Sequence, residues 1–282
     1  MHDVPFSVAV RFPGLHEAQE QQEARNVLAD PVLSASLRVT ERNWSEGLWS
    51  VRTAEAPEHG PGNQVTGLTA GGLTEERLRN ILTRVTPWFD EVGCSLGLRV
   101  PAAHIDDDVG RTLSSAGFAV AEVEAWMAAP LASLAIAPVS IEIRVADDEA
   151  SLDAFVEAFC LGWRVDSAQG RAIARAALAR QPAPSWWRRY VATIDGKTAG
   201  EAVLAWFDDV AYLAEAATVP AFRRRGVQRA LIARRLADAK DLGCQQVFSA
   251  VQYGDPSWAN MRGQGLREAN VTVAFRRAPS QD

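Results

Sequence analysis

Cysteine is scarce in this 282-residue chain. Cys94, Cys160 and Cys244 are odd in number, far apart and in no metal-ligand spacing, so they offer neither a disulfide framework nor a thiolate metal site. They read as buried structural thiols in a reducing cytoplasm. Histidine is missing from the whole second half, since His2, His16, His59 and His104 all lie before it. A zinc site or a histidine-based triad built within that half is therefore excluded, and no metal is expected. No run of about 18 apolar residues exists, so no membrane span is expected. The start, Met-His-Asp-Val-Pro, lacks the basic and apolar regions of a signal peptide. A broad basic stretch is also lacking. The net charge is −6, which argues against nucleic acid as a general partner.

What remains is the composition of a globular protein, 48% hydrophobic and 23% charged, long enough for two domains. Charge is uneven. Residues 1–140 hold 10 basic and 18 acidic side chains, and residues 141–282 hold 19 and 17. A small, apolar, proline-bracketed stretch, Pro130-Leu-Ala-Ser-Leu-Ala-Ile-Ala-Pro138, reads as a linker. The expected division is 1–130, a linker at 131–140, and 141–282.

The most informative segment is Thr218-Val-Pro-Ala-Phe-Arg-Arg-Arg-Gly-Val-Gln-Arg-Ala-Leu231. A strand from Val210 to Val219 feeds an arginine-glycine loop, which opens into a helix from about Val227 to Leu242. The first turn of a helix carries N–H groups without intrahelical partners, and the macrodipole adds positive charge there. Such an end receives anions, pyrophosphate above all. Arg223, Arg224 and Arg225 add charge, and Gly226 admits close backbone approach.

The pattern Arg223-x-x-Gly226-x-Gln228 resembles the acyl-CoA-binding signature of the GNAT acetyltransferase family, with Gln228 where that family has Gly or Ala. The context agrees: Leu242-Gly243-Cys244 closes the helix, Gln246 to Val251 is a strand, Ser257-Trp-Ala-Asn260 begins a short helix ending at Gly265-Leu266, and Val271 to Arg276 is a final strand. The resemblance covers about Ile141 to Arg277. Upstream, a strand at Ile141–Val145, two helices and a hairpin turning at Asp195-Gly196 keep the family's order.

The resemblance implies acetyl-CoA as co-substrate. Phosphate contacts fall to Arg223, Arg224, Arg225, Gly226, Val227, Gln228 and Arg229. Ala217, Thr218 and Val219 lie along the pantetheine arm, and Asn260 beside it. A direct attack by an amine on the thioester then needs a base and an acid. Glu215 is the first candidate base, a carboxylate amid Ala211, Leu213, Ala214, Ala216 and Ala217, costly to bury unless paired or functional. The bland alternative is an ion pair with a helix arginine. Strict alternation places Glu215 with Leu213 and Ala217, and Tyr212 with Ala214, Ala216 and Thr218; a bulge would change this. Tyr212 occupies the place of the family's usual glutamate. Asp208 and Asp209 read as a solvated turn. The family's tyrosine acid is replaced by Met261, with Tyr253 and Ser257 as substitutes. Trp163 and Tyr212 are candidates for acceptor binding, with Phe159, Trp186 and Trp187 near the same loops; each aromatic is also a plausible core residue. The expected acceptor is a small-molecule amine. A peptide or aminoacyl-tRNA transferase and a silent acyl-CoA sensor are the alternatives. The oligomeric state is not legible.

The first half repeats the plan. An amphipathic helix at Thr74–Asp90 has Leu78, Ile81, Leu82, Val85 and Phe89 at helical spacing. It closes at Val92-Gly93-Cys94, then come a strand at Ser95–Val100, a helix at Asp106–Ala116, Gly117-Phe118, and a strand at Val120–Met127. Before the helix stand Gly71-Gly72-Leu73-Thr74-Glu75-Glu76, without arginines. Two carboxylates in the first turn satisfy the helix end and repel a pyrophosphate. The fold class expected is α/β: tandem GNAT-like domains, each a mixed, mostly antiparallel sheet flanked by helices, the first having lost its cofactor. The turn-rich stretch at 55–62 carries no readable function.

Overall fold

The computed structural model describes residues 6–56, 62–68, 72–136, 138 and 140–278. Most of the turn-rich stretch at 55–62, Gly71 of the Gly-Gly pair, two linker positions (137 and 139), His2 and His59 lie outside the described residues. Among the described residues no helix is long and apolar enough to cross a membrane. The chain forms two compact units that interleave along the sequence. One comprises Met1–Asn26, Met127–Ala250 and Gly254–Arg267; the other comprises Val27–Trp126, Val251–Tyr253 and Glu268–Asp282.

Chain order begins with a long helix, α1 (Phe6–Leu28), nearly all of it in the first unit. The second unit then builds α2 (Pro31–Leu37), β1 (Val39–Asn43), β2 (Trp49–Thr53), β3 (Gln64–Thr66), α3 (Glu75–Asp90), β4 (Leu96–Pro101), α4 (Asp107–Ser115) and the start of β5 (Phe118–Pro130). Helix α3 forms where the apolar spacing demands it: Leu78, Ile81, Leu82, Val85 and Phe89 are all buried, and Thr74 caps its first turn. It connects β3 to β4, which pair in parallel, as a crossover helix permits. The stripe packs on Leu96, Leu98, Val100 and Phe118. The sheet of this unit runs β1-β2-β3-β4-β11-β5, where β11 (Arg267–Arg277) is the last strand of the chain. Phe275 of β11 faces Leu98 of β4 in antiparallel register, and Arg277 fixes the strand by donating to both carboxylate oxygens of Asp90 at 2.7 and 3.1 Å.

The first unit continues with β6 (Glu142–Val145), α5 (Glu149–Trp163), α6 (Ala168–Ala179), β7 (Trp187–Ile194), β8 (Lys197–Phe207), β9 (Val210–Thr218), α7 (Val227–Asp241), β10 (Gln246–Gln252) and α8 (Pro256–Gly263). Its strands run β10-β9-β8-β7-β6. The β9–β10 pair is parallel through α7, so β9–α7–β10 repeats the plan of β3–α3–β4. The β7–β8 hairpin turns at Asp195 and Gly196, both at positive φ. Inside α7, Asp238 gathers Tyr190 Oη at 2.7 Å, Arg188 at 2.9 Å and Arg234 at 2.9 Å. Burial alone would raise this carboxyl, but those hydrogen bonds outweigh it and hold the group below its ordinary range. All three cysteines are free and buried.

Two features of this unit shape the site. Gly162 near the end of α5 lets that helix press on β9: a Cβ there would sit 2.3 Å from Ala217 Cβ. Strand β9 also carries a bulge. Its register against β8 runs Tyr212↔Ala205, Leu213↔Leu204, Ala214↔Val203, then skips to Ala216↔Ala202 and Ala217↔Glu201. Glu215 is the extra residue. Because cross-strand partners share a face, the bulge puts Tyr212, Ala214 and Ala217 on the face of Glu201, Val203 and Ala205. Strict alternation therefore fails here: Tyr212 does not share a face with Ala216 and Thr218. The ladder gap is filled from α7, where buried Arg235 donates through Nη1 to Val203 O (2.9 Å) and Ala214 O (2.8 Å).

Candidate active site

Among the described residues, six of the eight helices, α2 to α6 and α8, have a side chain accepting from their first-turn amides: Asp30, Thr74, Asp106, Asp148, Ser167 and Asp255. Helix α7 does not. Its N-cap is Gly226, with no capping side chain. Ahead of it Arg224 and Gly226 have φ of 63° and 84°, a turn that exposes the loop, and a Cβ on Gly226 would meet nothing within 4 Å. Arg223, Arg224, Arg225 and Arg229 are all exposed. Arg223 reaches Gly162 O only at 3.4 Å, and Arg225 reaches Asp195 at 3.4 Å. Open backbone donors, a helix dipole and loosely held guanidinium groups together fit a pyrophosphate. In the second unit the corresponding end, at α3, is closed: Thr74 Oγ1 accepts from Arg77 N at 3.2 Å, and the Arg77 side chain turns back to Gly72 O at 2.7 Å.

The strand before the loop is open as well. Register between β9 and β10 runs only from Val210↔Gln246 to Tyr212↔Phe248. From Leu213 to Thr218, β9 has no ladder partner on that side, apart from Ser249 Oγ donating to Leu213 O at 2.8 Å. Ala216, Ala217 and Thr218 are half-buried there. Val219 is different, because its N–H is already bonded to Ala199 O at 3.0 Å. Of the three expected strand residues, Val219 thus has no amide to offer a thioester carbonyl, while Thr218, one residue earlier, directs its amide to the parted side.

Gln228, on the first turn of α7, joins the two expected positions on α8. Its Nε2 donates to Ser257 Oγ at 2.7 Å, and its Oε1 accepts from Asn260 Nδ2 at 2.5 Å. Ser257 and Asn260 are thereby brought beside the loop. Tyr253 belongs to the other compact unit, is 54% exposed, and donates its N–H to Val123 O at 2.8 Å. Trp163 is 55% exposed at the end of α5, tilted on Phe159 with ring centroids 6.2 Å apart. Met261 is buried.

Around the bulge the structure assembles residues that the sequence did not single out. Helix α1 brings His16 against Tyr212, with Nδ1 2.8 Å from the phenol oxygen and the rings edge to face. Tyr212 in turn stacks on Phe248 at 4.5 Å. Thus a histidine of the first half reaches a strand of the second, and the absence of second-half histidines did not exclude one here. One turn on, Glu20 lies 3.6 Å from His16 Nε2, and Gln19 donates to Glu23 at 2.8 Å. Burial, followed by the charge of Glu215, holds Glu23 well above the ordinary carboxylate range; Glu20 and Glu201 add to this and Gln19 opposes it. Glu201 is fully buried and is raised by the same two leading causes, against the pull of Arg235. Burial depresses Arg235 to about 10, its neighbours Glu201 and Glu215 opposing. Glu215 is half-buried at the centre of these groups. One signal for Glu201 was present in Gly200-Glu-Ala-Val-Leu204, a carboxylate in an apolar run like Glu215.

Residues 134–251 match a family model described as an acetyltransferase (GNAT) domain. No curated protein sequence matches the chain. Several solved structures share its fold. A functionally unknown conserved protein from Staphylococcus epidermidis is 10% identical with a TM-score of 0.65, covering 86% of this chain and 96% of its own. A GCN5-related N-acetyltransferase from Kribbella flavida is 14% identical at 0.63, covering 88% and 95%. A tandem GNAT protein from the clavulanic acid biosynthesis pathway is 12% identical at 0.58, covering 93% and 95%.

Proposed function

We propose that this chain is an acyl-CoA-dependent N-acyltransferase that moves an acetyl group to an amine of a small molecule, a reading supported by the acetyltransferase (GNAT) model match at residues 134–251 and by the fold shared with a tandem GNAT protein. The observation that carries the reading is the pairing of the parted β9 edge with the uncapped start of α7. One acetyl-CoA binds per chain, in the second-half domain at 141–282, because the α3 end is closed by Thr74 and Arg77. The free, buried thiols suit a reducing, cytoplasmic compartment.

In this reading the α7 amides with Arg223, Arg224, Arg225 and Arg229 hold the phosphates. Thr218 and Ala217 line the arm, and Asn260, tied to Gln228, borders it. Acetyl-CoA, when bound, supplies an activated acyl thioester. Glu215 is the base: its carboxylate takes the proton of the acceptor ammonium, which leaves the neutral amine that a nucleophilic attack requires. Glu23 and Glu201, each raised by burial and by the charge of Glu215, lie beside it. Ser257 Oγ, held beside the loop by Gln228, is the hydroxyl that returns a proton.

Titration calorimetry with acetyl-CoA, together with free-thiol release against a panel of amines, tests this. One site and amine-dependent thiol release support the reading. Two equivalent sites would contradict it, and binding without release for any amine would leave a sensor rather than an enzyme.

A further inference from the structure

Among its described side chains, helix α1 buries polar residues beside the apolar Leu15 and Val27. His16, Gln19 and Asn26 are buried at 8%, 3% and 7% exposure, while Ala18 on the same helix is exposed. Their spacing, with Glu20 and Glu23 between them, marks a single face. A surface helix ordinarily buries an apolar stripe, so a buried polar stripe is the informative case. The helix is seated firmly. Midway along it His16 meets Tyr212 of β9, and near its last turn Asn26 Nδ2 donates to Ala177 O of α6 at 2.7 Å.

That polar stripe brings carboxylates toward the bulge. Glu20 and Glu23 come from α1, Glu201 from β8 and Glu215 from β9. The buried cation in the cluster is Arg235: its Nε donates to Leu231 O and its Nη1 to Val203 O and Ala214 O, its Nη2 completes no hydrogen bond with a described residue, and its charge acts on Glu201. Glu201 is an independent sign. It is 0% exposed, and neither carboxylate oxygen reaches full hydrogen-bond geometry with any described residue; the Ala217 N–H offers a weak hydrogen bond and Arg235 a nearby charge, and burial outweighs both. A buried carboxyl without partners costs free energy unless a ligand completes it.

We propose that α1 completes the acceptor pocket of the first unit, and that the acceptor is an aliphatic diamine or polyamine whose second ammonium is held by Glu23 and Glu201. This rests on the acyltransferase reading above. The reacting nitrogen must be neutral to attack, so it cannot be the cation that these carboxylates compensate. Glu215, at the half-buried rim, deals with the reacting end. Glu201 lies deeper, and Glu23, half-buried like Glu215, is close enough to feel its charge; there only a second positive charge has use for the pair. Glu20 and His16 border the same pocket from α1.

The test uses the full chain. Calorimetry compares 1,4-diaminobutane with butylamine, and acetyl-CoA is titrated separately. The diamine should bind at least about tenfold more tightly than the monoamine. Glu201→Gln and Glu23→Gln should each remove most of that preference and leave acetyl-CoA affinity unchanged. Equal binding of the two amines, no measurable binding of either, or a preference that survives both variants would overturn the proposal while acetyl-CoA binding still stood. Failure of the wild type to bind acetyl-CoA would instead strike the acyltransferase reading. Circular dichroism of both variants controls for folding; since glutamine keeps the volume and removes a buried charge, both should remain folded.

Discussion

The contact between α5 and β9 can be tested by moving one methyl group. In Gly162→Ala the new Cβ would lie 2.3 Å from Ala217 Cβ and 3.5 Å from Ala217 Cα. Carbon atoms rest at about 3.5–4.0 Å, so helix and strand must separate by about 1.5 Å. Overpacking of this kind costs about 1–3 kcal/mol. Alanine's better helix propensity returns up to about 1 kcal/mol, leaving a net loss of about 1–2 kcal/mol, or about 2–8 °C in Tm for a protein of this size. Ala217→Gly alone should cost about 0.5–1 kcal/mol, the usual penalty of glycine in a strand. The double variant removes the clash and keeps the helix gain, so it should be at least as stable as Ala217→Gly. Urea and thermal unfolding of the four proteins give the coupling, expected at about 1–3 kcal/mol. Acetyl-CoA affinity should fall in Gly162→Ala and recover in the double variant, because Ala217 lines the proposed slot. If the two substitutions add within about 0.5 kcal/mol, the close approach does not hold α5 on β9 and the reasoning fails.

Glu215→Gln should keep acetyl-CoA affinity and lose about a hundred- to ten-thousandfold in turnover, the usual range for a general base; a fall of less than about threefold would move the role to another group. Gly226→Asp should weaken acetyl-CoA binding by more than about tenfold in calorimetry, since a carboxylate enters the open space at the positive end of α7; unchanged affinity would show that the phosphates lie elsewhere. Glu201 has a folded pKa raised well above the ordinary glutamate value, so the wild type loses stability as pH rises from the unfolded value through the folded one. Glu201→Gln does not titrate. Its Tm should therefore match the wild type near the ordinary glutamate pKa and exceed it increasingly toward pH 8; a difference that does not change with pH would contradict the burial of a titrating carboxyl.

The cradle was legible because every part of it is local. Arg223 to Gln228 are consecutive, Gly226 marks a positive φ, and the helix that follows begins at Val227 with no capping side chain. Repetition was legible for the same reason: the stripe of α3 and the Gly-Cys corners are patterns within short windows. Helix α1 was not. Its buried residues include polar His16, Gln19 and Asn26 beside Leu15 and Val27, so the apolar period by which helices are recognised is broken. Strands β1, β2 and β3 are five, five and three residues long, too short to show an alternation.

The sequence alone determined the arginine-glycine loop before α7, the repeated βαβ plan and the capped start of the helix in the first copy, because each follows from capping and turn chemistry between near neighbours. Tertiary structure decided everything that depends on pairing distant segments. A skipped register position between Ala202 and Val203 set the face of Tyr212, and no single strand encodes its partner's register. Packing of α1 joined His16 to Tyr212 across 196 residues. The last strand, β11, entered the second unit rather than the one containing the rest of its repeat, since a strand edge accepts any chain that completes its hydrogen bonds and buries its apolar face.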